Sequence, residues 1–102
     1  MHSGETETST SLATRPHLVR TDRMRRSVPK FSSKYLDFTE RNSVEWYART
    51  ARVSESGVLG DPTRASREKG EKLWAIMIGH MVAFLEDLKK LRLEELQDHR
   101  PV

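Results

Sequence analysis

The stretch SGVLGDPTRASREKGEKLW, Ser56 to Trp74, decides the fold of this 102-residue chain. Two glycines, an Asp-Pro step and a run of charge stand ahead of a long apolar-striped segment. Asp61 is placed to cap a helix. Pro62 suits the first helical position, where its missing N–H costs nothing. The spacing predicts a long helix over about 62–96. Leu73, Ile76, Met77, Met81, Phe84, Leu85, Leu88 and Leu91 recur at intervals of three and four, and Trp74, Ile78 and Val82 widen the stripe. A stripe this wide packs on a sheet or on another subunit. Few strands are in sight to form that sheet, so part of the expected partner surface is missing from the chain.

Upstream, Arg52 to Leu59 reads as extended and ends in a glycine-flanked turn. Asn42 to Arg52 holds Trp46 and Tyr47 and suits a strand or a turn of helix. Ser27 to Arg41 reads as loop anchored by Phe31, Tyr35, Leu36 and Phe38, so 21–61 is mainly a loop region. Glu5 to Thr14 can form a short helix. Its Thr and Ser content makes it weak, and Pro16 limits it by pushing the preceding residue out of the helical region.

Composition narrows the classes. A chain of this length is one domain with a modest core. Apolar residues make up 35% and charged residues 32%. No cysteine is present, which excludes disulfides and thiolate zinc sites and fits a cytoplasmic setting. No apolar run approaches a membrane span, and the N-terminal MHSGETETST does not read as a signal peptide. Net charge is +3, concentrated between Arg15 and Lys34, where the only acid is Asp22. That stretch has no interleaved aromatics and no nucleic-acid motif, so it reads as a solvated or subunit-contact loop rather than a nucleic-acid site.

HSGETET, His2 to Thr8, is the other notable stretch. One imidazole and two carboxylates lie within six residues. Such groups bind zinc or manganese and can do acid–base work on water. If Glu5 and Glu7 are both helical they point about 200° apart and cannot hold one metal together. Either Glu5 lies in the turn before the helix, or only one of the pair faces the site. A catalytic zinc usually takes three protein ligands, and no second cluster follows. Taken alone, the stretch also reads as an acidic terminus without a site. His80 reads as a packed or surface histidine, and His17 and His99 lack an acidic cluster.

Two motifs in order carry a resemblance. HSGETETS followed by RPHLVR, Arg15 to Arg20, resembles the creatininase-family pattern His-Ala-Gly-Glu-x-Glu-Thr-Ser and then Arg/His-Pro-x-Leu-Val. SGVLGDPTRASREKGEKLW resembles the same family's Gly-Val-x-Gly-Asp-Pro-x-x-Ala-x-x-Glu-Lys-Gly stretch, which leads into its last long helix. The resemblance covers Met1 to about Lys90 and only the rear part of the family's fold. Ser3 stands where the family usually has alanine, and Thr10 and Ser11 where it tends to place apolar residues.

The resemblance implies an α/β chain, the rear part of a three-layer α/β/α sandwich, with residues 1–102 forming the C-terminal part of one domain. It implies a metal-dependent hydrolase of cyclic amides or related small-molecule rings, with zinc and in some members manganese, commonly assembled as a homo-hexamer. By motif match His2 corresponds to the active-site histidine that contacts substrate or moves a proton, and Glu7 to a metal-centre carboxylate. Glu5 is a further candidate. Trp46 and Tyr47, read as residues, suit a substrate pocket or equally a core or interface position; ahead of the Gly-Val-x-Gly-Asp-Pro turn they resemble the subgroup similar to 3-dehydro-scyllo-inosose hydrolase. The family's other ligands come from segments not present here, so the chain alone is expected to be inactive. A different class of reading is a small non-enzymatic protein that uses its wide apolar helix to bind a partner.

Overall fold

The computed structural model describes residues 2–36, 44 and 48–96. Its helices are α1 (Glu5–Thr14), the single turn α2 (Thr50–Val53) and the long α3 (Arg67–Leu88), joined by loops and short 3-10 turns. The bounds of α1 follow from its ends. Gly4 is its N-cap, and Glu5 and Glu7 in the first turn face the positive end of the helix dipole. Arg15, before Pro16, leaves the helix at φ −142°, ψ 59°. Within α1 the Thr10 and Thr14 hydroxyls donate to the carbonyls of Glu7 and Thr10. Threonine hydroxyls thus bond back to the helix that their branching disfavours.

The expected helix over 62–96 is replaced by a shorter one with its own cap. Asp61 does cap, but the turn it caps is a 3-10 turn, Pro62–Arg64, in which its side chain accepts from Thr63 N–H. Ala65 then turns extended, with ψ 148°. The α-helix starts after Ser66, whose Oγ accepts from Lys69 N–H at 3.2 Å. It stops at Leu88, and Leu93–Glu95 forms a separate 3-10 turn.

The two helices cross where side chains are smallest. Gly70 of α3 lies against the backbone of Ser9, so that a Cβ at Gly70 would overlap the Ser9 carbonyl and sit 2.8 Å from Ala13 Cβ. Ser9 is fully buried, and its Oγ accepts from Ser66 N–H at 3.1 Å. Trp74 Nε1 donates to the Thr10 carbonyl at 3.1 Å. On the outer side of the crossing, Lys69 Nζ lies 2.6 Å from Glu5 Oε1 and also donates to the Arg64 carbonyl.

Beyond Trp74 nothing among the described residues covers α3. Ile76, Met77, Ile78, Met81, Val82, Phe84, Leu85 and Leu88 are all exposed, Phe84 by 58%. About half exposed, each leaves uncollected a part of the roughly 1.5–3 kcal/mol that full burial of a large apolar side chain supplies. Among the described residues the large buried apolar side chains are Leu36 and Leu59, so α3 carries far more stripe than α1 can cover.

The described residues contain no strand. One isolated antiparallel bridge joins Ser27 and Gly60, with N–H···O distances of 2.9 and 2.8 Å. The sheet of the expected α/β sandwich is therefore not seen here, whereas the long C-terminal helix is. Arg52 and Val53, expected to be extended, belong to α2. The chain straightens only at Ser54 and turns at Gly57 (φ +81°), where the Ser54 hydroxyl donates to the Val58 carbonyl. No helix among the described residues is long and apolar enough to cross a membrane.

Candidate functional site

Folding brings the two sequence motifs together. The Leu59 N–H donates to the His2 carbonyl at 2.8 Å, which ties the N-terminal turn to the segment leading into α3. Ser3 follows with φ +50°, a left-handed conformation rare for a residue with a Cβ. The Thr8 hydroxyl donates to the Ser3 carbonyl, and Ser3 N–H donates to Glu7 Oε2 at 2.6 Å. Glu7 therefore reaches back over the helix start in the manner of a capping-box acid. One of its oxygens is committed to the backbone, and the other has no hydrogen-bond partner among the described residues.

Glu7 lines an open cleft of about 550 Å³ together with Ser3, Thr8, Ser11, Val19, Arg20, Arg23, Met24, Ser56, Val58 and Pro62. The His2 side chain is exposed and is not part of that lining. No hydrogen bond among the described residues joins its imidazole to Glu7. The structure thus brings the His2 backbone to the site without bringing the imidazole onto the carboxylate.

Glu5 and Glu7 serve different sides of α1. Both are helical, so they diverge as the helix period requires. Glu5 turns to α3, where Lys69 holds it at 2.6 Å and Arg64 stands at 3.6 Å. The hydrogen bond from Lys69 lowers the Glu5 pKa below its ordinary value; desolvation opposes this, and the Arg64 charge adds to it. Glu5 is engaged in an interhelical clip, while Glu7 faces the cleft. Trp46 and Tyr47, expected to line a pocket, lie outside the described residues.

A metal ion is the group the family resemblance implies. No three His, Asp or Glu side chains come together among the described residues in a way that could hold one. A catalytic zinc takes three protein ligands, so this donor set does not fit it unaided. What Glu7 and His2 can offer by themselves is hydrogen-bond and proton chemistry.

The residues sequence reasoning missed are Arg20 and Arg23. In sequence they belong to a stretch that reads as a solvated or subunit-contact loop, and in the fold they form part of the cleft wall. Their separation of three was the available signal.

Comparison with known proteins gives a consistent picture. The family model described as creatininase, creatinine amidohydrolase, matches residues 1–85. A mycofactocin precursor peptide peptidase of Mycobacterium tuberculosis (strain ATCC 25618 / H37Rv) is 40% identical over 81 residues, which are 79% of this chain and 30% of that protein. A protein of the same name from Mycobacterium ulcerans (strain Agy99) is 37% identical over 82 residues, 80% of this chain and 30% of that protein. This chain thus spans about a third of the length of these relatives. No solved structure matches.

Proposed function

The chain belongs to the creatininase family, and we propose that it is the C-terminal piece of a hydrolase that cleaves an amide bond, inactive by itself. The observation that carries the reading is the placement of Glu7 on the cleft, with one carboxylate oxygen tied to Ser3 N–H and the other open. In this reading the open oxygen is the one that would help hold a metal ion. His2 passes a proton to the departing amine. The family is generally metal-dependent. Zinc, with manganese as the alternative, would be held by Glu7 and by donors outside the described residues. The relatives' names point to a peptide, and the family description to a ring amide. Assembly as a homo-oligomer, a cytoplasmic setting and membership of the inosose hydrolase-like subgroup belong to the same proposal, the last resting on Trp46 and Tyr47.

The test is a chimera in which residues 2–85 replace the matching segment of the Mycobacterium tuberculosis peptidase, assayed on that enzyme's peptide. The chimera should turn over, and the 102-residue chain alone should not. Glu7→Gln keeps a hydrogen-bond acceptor for Ser3 N–H, so it should leave the helix start intact while lowering kcat at least tenfold. His2→Gln should lower it by about 10²–10⁴-fold, the usual worth of a general acid. Undiminished turnover by the Glu7→Gln chimera would sink the role given to that residue.

A second reading draws on the exposed apolar face of α3. A non-enzymatic interaction protein would use that face to bind a partner. It would fold and associate equally well with and without divalent metal, which separates it from the hydrolase.

A further inference from the structure

The cleft beside Glu7 has a basic wall built by a single turn. Arg23 N–H donates to the Arg20 carbonyl at 3.0 Å, closing the 3-10 turn Thr21–Arg23. The two arginines bracket that turn, Arg20 as its N-cap and Arg23 as its last residue. Both line the cleft with Glu7.

No carboxylate among the described residues neutralises them. The arginine ion pairs found there engage Arg26, Arg64, Arg67 and Arg92. Asp22 lies between the two in sequence and pairs with neither; its backbone carbonyl accepts from Arg25 Nη1. Two cations on one cleft wall repel, and an anion between them relieves the repulsion. The planar guanidinium fork matches a carboxylate in two parallel hydrogen bonds. A cleft of about 550 Å³ falls within the size range of ligand sites.

We propose that Arg20 and Arg23 form a carboxylate-binding subsite that holds the free acid end of the substrate, with its amide bond toward Glu7. The substrate class is then an amide carrying a carboxylate near the scissile bond, such as a peptide with a free C-terminus. This deepens the hydrolase reading and rests on it.

The test uses the 102-residue chain, labelled with ¹⁵N, titrated with N-acetyl-Ala-Ala and separately with its C-terminal amide at constant ionic strength. The acid should shift the Arg20 to Met24 amide signals saturably, and the amide should not. The Arg20→Gln/Arg23→Gln double variant should bind the acid at least tenfold more weakly with unchanged helix content. Equal binding of acid and amide, undiminished binding by the double variant, or no saturable binding of the acid would each overturn the subsite. Turnover of the chimera is read separately. Lost acid preference with intact turnover overturns the subsite alone; acid-specific binding in a chimera without turnover overturns the hydrolase reading alone.

Discussion

At the scale of the residue, the two helical glycines of α3 make opposite predictions. Gly70 touches the Ser9 backbone, and Gly79 has open space where a Cβ would go. Gly70→Ala must push two helix backbones apart and should cost about 2 kcal/mol, within the usual range for overpacking. Gly79→Ala should instead stabilise by up to about 1 kcal/mol, the difference in helix propensity. Urea unfolding followed by circular dichroism distinguishes the two signs. Glu5 gives a pH prediction. Lys69 holds its carboxyl below the usual range, so the folded chain binds this proton less readily than the unfolded one. The contribution is present above the ordinary carboxylate pKa of about 4.3 and is lost as pH falls through the lower folded value. Thermal midpoints measured from about pH 6 to pH 3 should therefore fall toward acid. Glu5→Gln should flatten part of that fall, and added salt should weaken it because the clip is exposed.

At the scale of the element, α3 is two helices in one. Its first turns are clamped by Ser66, Gly70 and Trp74 against α1, and its later turns carry an uncovered stripe. Replacing Phe84 and Leu88 by Lys should leave the urea midpoint nearly unchanged, within about 0.5 kcal/mol. It should reduce self-association seen by sedimentation. Much of this was legible in advance. The C-terminal end of α1 was marked by Pro16, and the stripe of α3 by its three- and four-residue spacing. The divergence of Glu5 and Glu7 followed from the helix period. The start of α3 was misplaced because Asp61-Pro62 is a stronger local signal than Ser66, although it caps only a 3-10 turn. The Gly70 crossing was illegible because a glycine carries no side-chain pattern and its partner lies some sixty residues away. The arginine wall was missed because charge counting does not resolve which faces a turn brings into line.

At the scale of the whole molecule, the radius of gyration is 19.2 Å, against about 13 Å for a compact chain of this length. The excess fits an α3 about 33 Å long at 1.5 Å per residue, anchored at one end. The anchor joins Ser9 to Ser66, a separation of 57 residues in sequence. That separation bears on how the chain reaches its fold. Turns of α3 can form in about a microsecond from local contacts, but α1 contributes only after a long loop has closed. Capture of α1 should then be the late step, and its release the early step of unfolding. Loop closure depends only logarithmically on length, so doubling the connection costs about 0.6 kcal/mol. Refolding speed should consequently respond far more to a substitution at the Gly70 crossing than to residues added between the helices.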